Sequence, residues 1–313
     1  MKVLVSPSSF GKIDPEPLNI LSNNNFKVII NPYNRKLSEE EVITLGNGCV
    51  GIIAGVEPLT AKVMEQLLNL KCISRVGVGT DNIDLENAKR KGIAVLNTPD
   101  GPTRAVAEFT LAMSLALLRK IPLADSKMKK KIWQKETGNL LLNKRIGVIG
   151  LGRIGKLVAE IFCTLGNSVI GFDINPDIEW AKKSGVLMTG LDNLLKQADI
   201  ITLHIFGNSD KRPVINYAEF EKCKNGAFFI NMARGDVVNE EALYKNLISK
   251  KLKGAAVDVF SREPYDGPLC ELENVILTPH LGSYAEEGKL KMEIDAVNNF
   301  INHYYENKGI YEN

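Results

Sequence analysis

Histidine is scarce in this chain. Its 313 residues include three, at 204, 280 and 303, so chemistry that needs a side chain titrating near neutrality has few places to occur. Cysteine is almost as sparse. The five, at 49, 72, 163, 223 and 270, are odd in number and form neither a C-x-x-C pair nor a metal-ligand spacing. That excludes a disulfide framework and a zinc-type ligand set, and reduced thiols in a cytoplasmic protein without a metal are expected. Long apolar runs are missing too. The most apolar stretch, 105 to 118, is broken by Glu108, Thr110 and Ser114 and is shorter than the ~20 residues that span a bilayer. It reads as a buried helix at an interface between domains or subunits, and no membrane contact is expected. The N-terminus lacks the charged and long apolar regions of a secretory signal and reads as a first strand. Nor is there a surplus of charge: 39 basic against 37 acidic side chains leave a formal +2, which supplies no field to gather nucleic acid or an anionic surface. A small ligand remains open.

What is present is alternation. Short β-branched runs recur between amphipathic stretches along the whole chain, the pattern of parallel strands joined by crossover helices. Candidate strands fall at 2–6, 27–31, 51–54, 73–76 and 93–96, and a second series at 145–149, 168–172, 199–204, 227–231, 254–259 and 274–277. The fold class is α/β, with two doubly wound parallel sheets. The last predicted helix, 286–303, repeats Leu290, Ile294, Val297, Phe300 and Ile301 at helical spacing and is expected to rejoin the first domain. The expected division is therefore 1–98 plus 285–313 against 99–284. There is no internal repeat and no low-complexity linker.

The strongest single motif is Gly150-Leu-Gly152-Arg153-Ile154-Gly155, directly after a predicted strand and opening a predicted helix. Gly150 permits a tight turn, Gly152 lets a pyrophosphate reach the backbone, Gly155 lets helix and strand pack closely, and the amides near Arg153 and Ile154 face the anion at the positive helix end. Asp173 ends the next predicted strand, near the ~20-residue spacing at which an acid receives the adenosine ribose; its charge would repel a 2′-phosphate. The expectation is a Rossmann domain binding NAD.

Hydride exchange with NAD at a carbon that bears oxygen needs an acid/base of near-neutral pKa for the oxygen's proton, and the developing charge needs a cation. His280, in Thr278-Pro-His280-Leu-Gly282, follows the last strand, where ligands of an open parallel sheet collect. Arg234 follows an earlier strand after Ala233, and Glu263 follows the one between. His303 reads as a surface or packing residue, and His204 as structural or cofactor-side.

These segments, Gly-Leu-Gly-Arg-Ile-Gly, Ala-Arg-Gly-Asp, Asp-Val-Phe-Ser-Arg-Glu-Pro and Thr-Pro-His-Leu-Gly-Ser, in this order, resemble the D-isomer-specific 2-hydroxyacid dehydrogenases. The resemblance implies a Rossmann domain inserted in a flavodoxin-like substrate domain. It makes Arg234, Glu263 and His280 the catalytic set, acting on a small 2-hydroxy or 2-oxo acid with NAD. It gives the substrate carboxylate to the loop Arg75-Val76-Gly77-Val78-Gly79, and puts Thr103, His204, Ala233 and Asp258 on the cofactor side, Asp258 at the nicotinamide carboxamide. A homodimer is implied, with the region of Lys127 to Lys131 and Trp133, otherwise a solvated cationic face, near the partner.

Arg75 and Asp81-Asn82-Ile-Asp84 are most similar to phosphoglycerate dehydrogenases, which makes 3-phosphoglycerate the first substrate expectation. With the chain ending at 313, their regulatory extension is not expected. Glu57 stands where phosphoglycerate-specific members tend to carry arginine, and a carboxylate there would repel phosphate. Hydroxypyruvate or glyoxylate is the alternative acid. A corepressor-like NAD sensor is the non-enzyme alternative, and nothing in the sequence favours it.

Overall fold

The computed structural model describes residues 1–207, 212–307 and 309. Two compact units emerge, Met1–Pro102 with Tyr284–Asn313 (unit 1) and Thr103–Ser283 (unit 2).

Unit 1 is built on a five-stranded sheet of β1 (Lys2–Val5), β2 (Lys27–Ile30), β3 (Cys49–Ala54), β4 (Cys72–Arg75) and β5 (Ala94–Leu96). The order is β2-β1-β3-β4-β5 and every pair is parallel, the doubly wound flavodoxin-like order. The inner strands carry almost unbroken apolar residues because both faces are covered. One face packs Leu4, Ile52, Ile73 and Val63; the other packs Val3, Val5 and Ile53 against Ala296, Val297, Phe300 and Ile301 of the helix Glu286–Glu306. The terminal helix thus completes this unit's core. Its Phe300 ring occupies the space where a side chain at Gly51 would stand, so β3 can lie under the ring only as glycine. The Ser74 hydroxyl donates to the Ala296 carbonyl at 2.7 Å, tying β4 to the same helix. Phe26 meets the Phe300 ring edge-on at 5.1 Å, a geometry that adds about 0.5–1.5 kcal/mol beyond burial.

Unit 2 holds β6 (Arg145–Ile149), β7 (Ser168–Phe172), β8 (Leu187–Met188), β9 (Ile200–Leu203), β10 (Ala227–Asn231), β11 (Leu252–Val257) and β12 (Val275–Leu277). They form one parallel sheet in the order β12-β11-β10-β9-β6-β7-β8. The fold class read from the sequence is borne out, with one addition: β8 has two residues, too few to show a strand pattern. The order reverses beside β6, so the carboxyl end of β6 is the topological switch point, where open α/β sheets bind their ligands. The stretch 105–118 is helical within Gly101–Arg119, its Thr110 and Ser114 hydroxyls turned back onto the Val106 and Thr110 carbonyls, both at 2.7 Å. Among the described residues no helix is long and apolar enough to cross a membrane.

Candidate active site

The glycine turn sits at the switch point of unit 2. Gly150 has φ +91°, and a side chain there would strike the His204 carbonyl; a side chain at Gly155 would overlap the Gly150 carbonyl. At Gly152 an added Cβ would meet nothing within 4 Å, so the space over this residue is open to a ligand. Gly152 caps the helix Arg153–Thr164 without any side-chain cap bond, which leaves the first-turn amides to a ligand anion. Asp173, at the end of β7, is held by backbone donors, Leu151 N–H at 2.6 Å on one oxygen and Asn175 N–H at 2.8 Å on the other. A fixed carboxylate beyond an open, uncapped turn fits the adenosine ribose and pyrophosphate of NAD and disfavours a 2′-phosphate.

Three neighbouring strand exits carry the polar set. After β12 the chain turns at 278–282 around Asp258, which follows β11 and is buried. The Asp258 carboxylate accepts from the Thr278 hydroxyl at 2.6 Å, Leu281 N–H at 2.7 Å and Gly282 N–H at 2.8 Å, and its carbonyl accepts from His280 N–H at 2.9 Å. This clamp holds His280 at φ +57°, a left-handed conformation that costs a side-chain-bearing residue about 1–2 kcal/mol. The exposed imidazole then meets Glu263, with Nδ1 to Oε2 at 3.1 Å; the other carboxylate oxygen accepts from Phe260 N–H at 3.2 Å. Ser261 N–H donates to Glu240 at 2.6 Å, which braces the same loop. A third residue, Arg234, half-buried after β10, folds one guanidinium nitrogen onto the Ala233 carbonyl at 2.8 Å, while Asn231 donates to the Arg234 carbonyl at 2.9 Å. Gly235 joins the two loops, because any side chain there would overlap the backbone of Phe260 and Ser261.

Sequence reasoning named the polar residues but not the devices that seat them: the Asp258 clamp, whose one written sign was Gly282 two residues past His280, and the contact at Gly235. His204 is half-buried, with its ring nitrogen Nδ1 shielded from solvent. Its Nε2 lies 2.9 Å from the Thr202 hydroxyl, and its Nδ1 has no hydrogen-bond partner among the described residues. Thr103 lies in the helix Gly101–Arg119. The loop 75–79 belongs to unit 1. Gly77 has φ +132°, its N–H donates to the Thr98 hydroxyl at 2.7 Å, and Val76 N–H donates to Ala54 at 2.9 Å. Asn97 holds the Val78 carbonyl at 2.9 Å.

Residues 111–282 match the D-isomer-specific 2-hydroxyacid dehydrogenase, NAD-binding domain. The chain belongs to this family. A D-3-phosphoglycerate dehydrogenase of Archaeoglobus fulgidus is 36% identical over 307 residues, 96% of this chain and 57% of that protein. A hydroxypyruvate reductase of Thermotoga maritima is 37% identical over 253 residues, 79% of this chain and 81% of that protein. In structure, D-lactate dehydrogenase of Aquifex aeolicus, solved with NAD and lactic acid, is 28% identical with a TM-score of 0.82, covering 96% of this chain and 94% of that one. The chain spans about half the length of the phosphoglycerate dehydrogenases it matches. The resemblance read from the motifs is borne out, and unit 2 carries the family's NAD-binding domain.

One pH effect follows from His204. Burial pushes its pKa from 6.5 down to about 3, so between those values the unfolded chain takes up a proton there that the folded chain does not. His204 therefore lowers stability as pH falls through that window and leaves it unaffected above. In His204→Asn, the urea midpoint should fall less steeply than in the parent between about pH 6.5 and pH 4; equal slopes would mean that this imidazole is not buried in its neutral form.

Proposed function

We propose that the protein is an NAD-dependent D-2-hydroxyacid dehydrogenase that interconverts a small 2-oxo acid and its 2-hydroxy acid. The observation that carries the reading is the 3.1 Å contact of His280 Nδ1 with Glu263 at adjacent strand exits. With Nδ1 turned to the carboxylate, Nε2 is the nitrogen that exchanges a proton with substrate. When bound, the nicotinamide supplies or receives the hydride. In the reducing direction His280 Nε2–H gives its proton to the oxygen of the C2 carbonyl, leaving the hydroxy acid and neutral imidazole. Glu263 fixes the ring through its contact with Nδ1. Arg234 grips the planar carboxylate and polarises the C2 carbonyl, which guanidinium does better than ammonium. Thr103, His204 and Ala233 serve the cofactor side, and Asp258 serves both that side and the His280 turn.

In unit 1 the loop 75–79 takes the substrate carboxylate. Since Val76 and Gly77 N–H already donate within the unit, the Val78 and Gly79 amides are the ones offered, beside the Arg75 side chain. Replacing His280 by Ala should lower the turnover of NADH with a panel of 2-oxo acids by about 10² to 10⁴, while NADH binding, read by fluorescence, persists. Turnover near that of the parent would remove His280 from the mechanism, and binding without turnover in the parent would favour a sensor.

The protein is further proposed to be a homodimer. The helix Ile121–Lys129 buries none of its residues, and the segment after it exposes Ile132, Trp133 (82%), Leu140 and Leu142, apolar side chains that a second subunit would cover. Sedimentation should give twice the chain mass for the parent and a single chain mass for Trp133→Asp; a monomeric parent would end this part of the reading. The five free thiols, with Cys72 and Cys223 pushed up to about 12 by burial, suit the cytoplasm, which cell fractionation checks.

A further inference from the structure

The carboxylate that meets His280 sits on a short loop of unit 2, and its two oxygens are divided: one accepts from Phe260 N–H at 3.2 Å, the other meets His280 Nδ1 at 3.1 Å. The next amide along the chain, Ser261 N–H, goes elsewhere. It donates to Glu240 Oε1 at 2.6 Å. Glu240 opens the helix Glu240–Ile248, which Asn239 caps by accepting from Ala242 N–H at 2.9 Å. Ala242, Leu243 and Leu247 seat that helix in the core of unit 2. Phe260 and Tyr265, at the two ends of the loop, pack against the same core and stack on each other at 4.3 Å. Between them Ser261, Arg262, Glu263 and Pro264 are all exposed, so burial does not hold this stretch. The bond from Ser261 ties it to the fixed helix.

Resting on the dehydrogenase reading above, we infer that Glu240 is a positioning residue for the acid/base: it occupies the Ser261 amide and so leaves Glu263 to Phe260 N–H and the His280 ring. Two successive backbone donors and two carboxylates meet here, and each carboxylate has taken one donor. Without Glu240, Ser261 N–H becomes a competing donor one residue from the amide that Glu263 already uses, and a bond to an ionised acceptor is strong enough to draw the carboxylate over. A carboxylate shared between two adjacent amides turns away from Nδ1, and the ring loses the partner that sets its orientation. Glu240 acts through the loop and not on the substrate. An acid in the first turn also suits the positive end of a helix, and two conservative changes separate the roles. Glu240→Asp keeps the charge but draws the carboxylate one methylene back from Ser261, whereas Glu240→Gln loses the charge and keeps an acceptor oxygen at full reach.

The test is steady-state oxidation of NADH by hydroxypyruvate, glyoxylate and pyruvate in the parent and the two variants. Glu240→Asp should lower kcat by about tenfold while KM for the acid and NADH binding stay within about twofold of the parent, and Glu240→Gln should recover most of that loss. Combining Glu240→Asp with Glu263→Gln supplies a readout that helix stability alone would not move: once the first change is made, the second should cost little more. A Glu240→Asp variant as fast as the parent, a Glu240→Gln variant slower than Glu240→Asp, or losses that multiply in the combined variant overturns the inference. Should Glu240→Asp not fold, Glu240→Ala takes its place with the same expectations. A parent that oxidises NADH with none of the three acids overturns the dehydrogenase reading, and this inference with it.

Discussion

A buried carboxylate holds the proposed acid/base in place. Asp258 is sealed from solvent at the end of β11 and collects three donors from the five-residue turn after β12. Each hydrogen bond to a charged group contributes about 1.5–3 kcal/mol, which together exceeds the strain of carrying His280 at a positive φ. Without that clamp the turn would relax toward an ordinary conformation, and the imidazole would leave the side of Glu263. The catalytic proposal rests on this order of causes: sheet, clamp, turn, then ring.

The cofactor site works by a different economy of groups. Glycines at 150 and 155 are demanded by contacts that any side chain would break, whereas Gly152 is surrounded by open space. Two of the three serve packing, and the third leaves open space for the proposed cofactor. The uncapped helix beyond them has its amides to offer, and Asp173 is fixed by two backbone donors before any ribose arrives. Such preorganisation means that little side-chain ordering remains to oppose binding.

Much of this was legible in the sequence, for physical reasons. Strands buried on both faces must be apolar throughout, so β9 and β10 stand out as runs; Ser74 and Gly51 could not announce that they meet Ala296 and Phe300 more than two hundred residues away. The two-residue β8 carries no period to detect. Arg234, Glu263 and His280 were singled out because strand exits in a parallel sheet are where ligands collect, and because the motifs around them resemble a known family. Asp258 was read as a cofactor ligand, since a sequence shows that a carboxylate is present but not which donors surround it. Glu57 was legible as an unexpected charge, yet its burial against Ser6 and Gly55 arises from a loop folding back on itself, which no local pattern encodes.

The central claim is that Glu263 acts through the His280 ring. A double-mutant cycle on kcat/KM for 2-oxo acid reduction, with His280→Gln, Glu263→Gln and both together, tests it most directly. Glu263→Gln alone should lower kcat/KM, and adding it to His280→Gln should change almost nothing more, the non-additivity of two groups that work as one. Losses that simply multiply would mean that the carboxylate and the imidazole act independently, and the account would fail there.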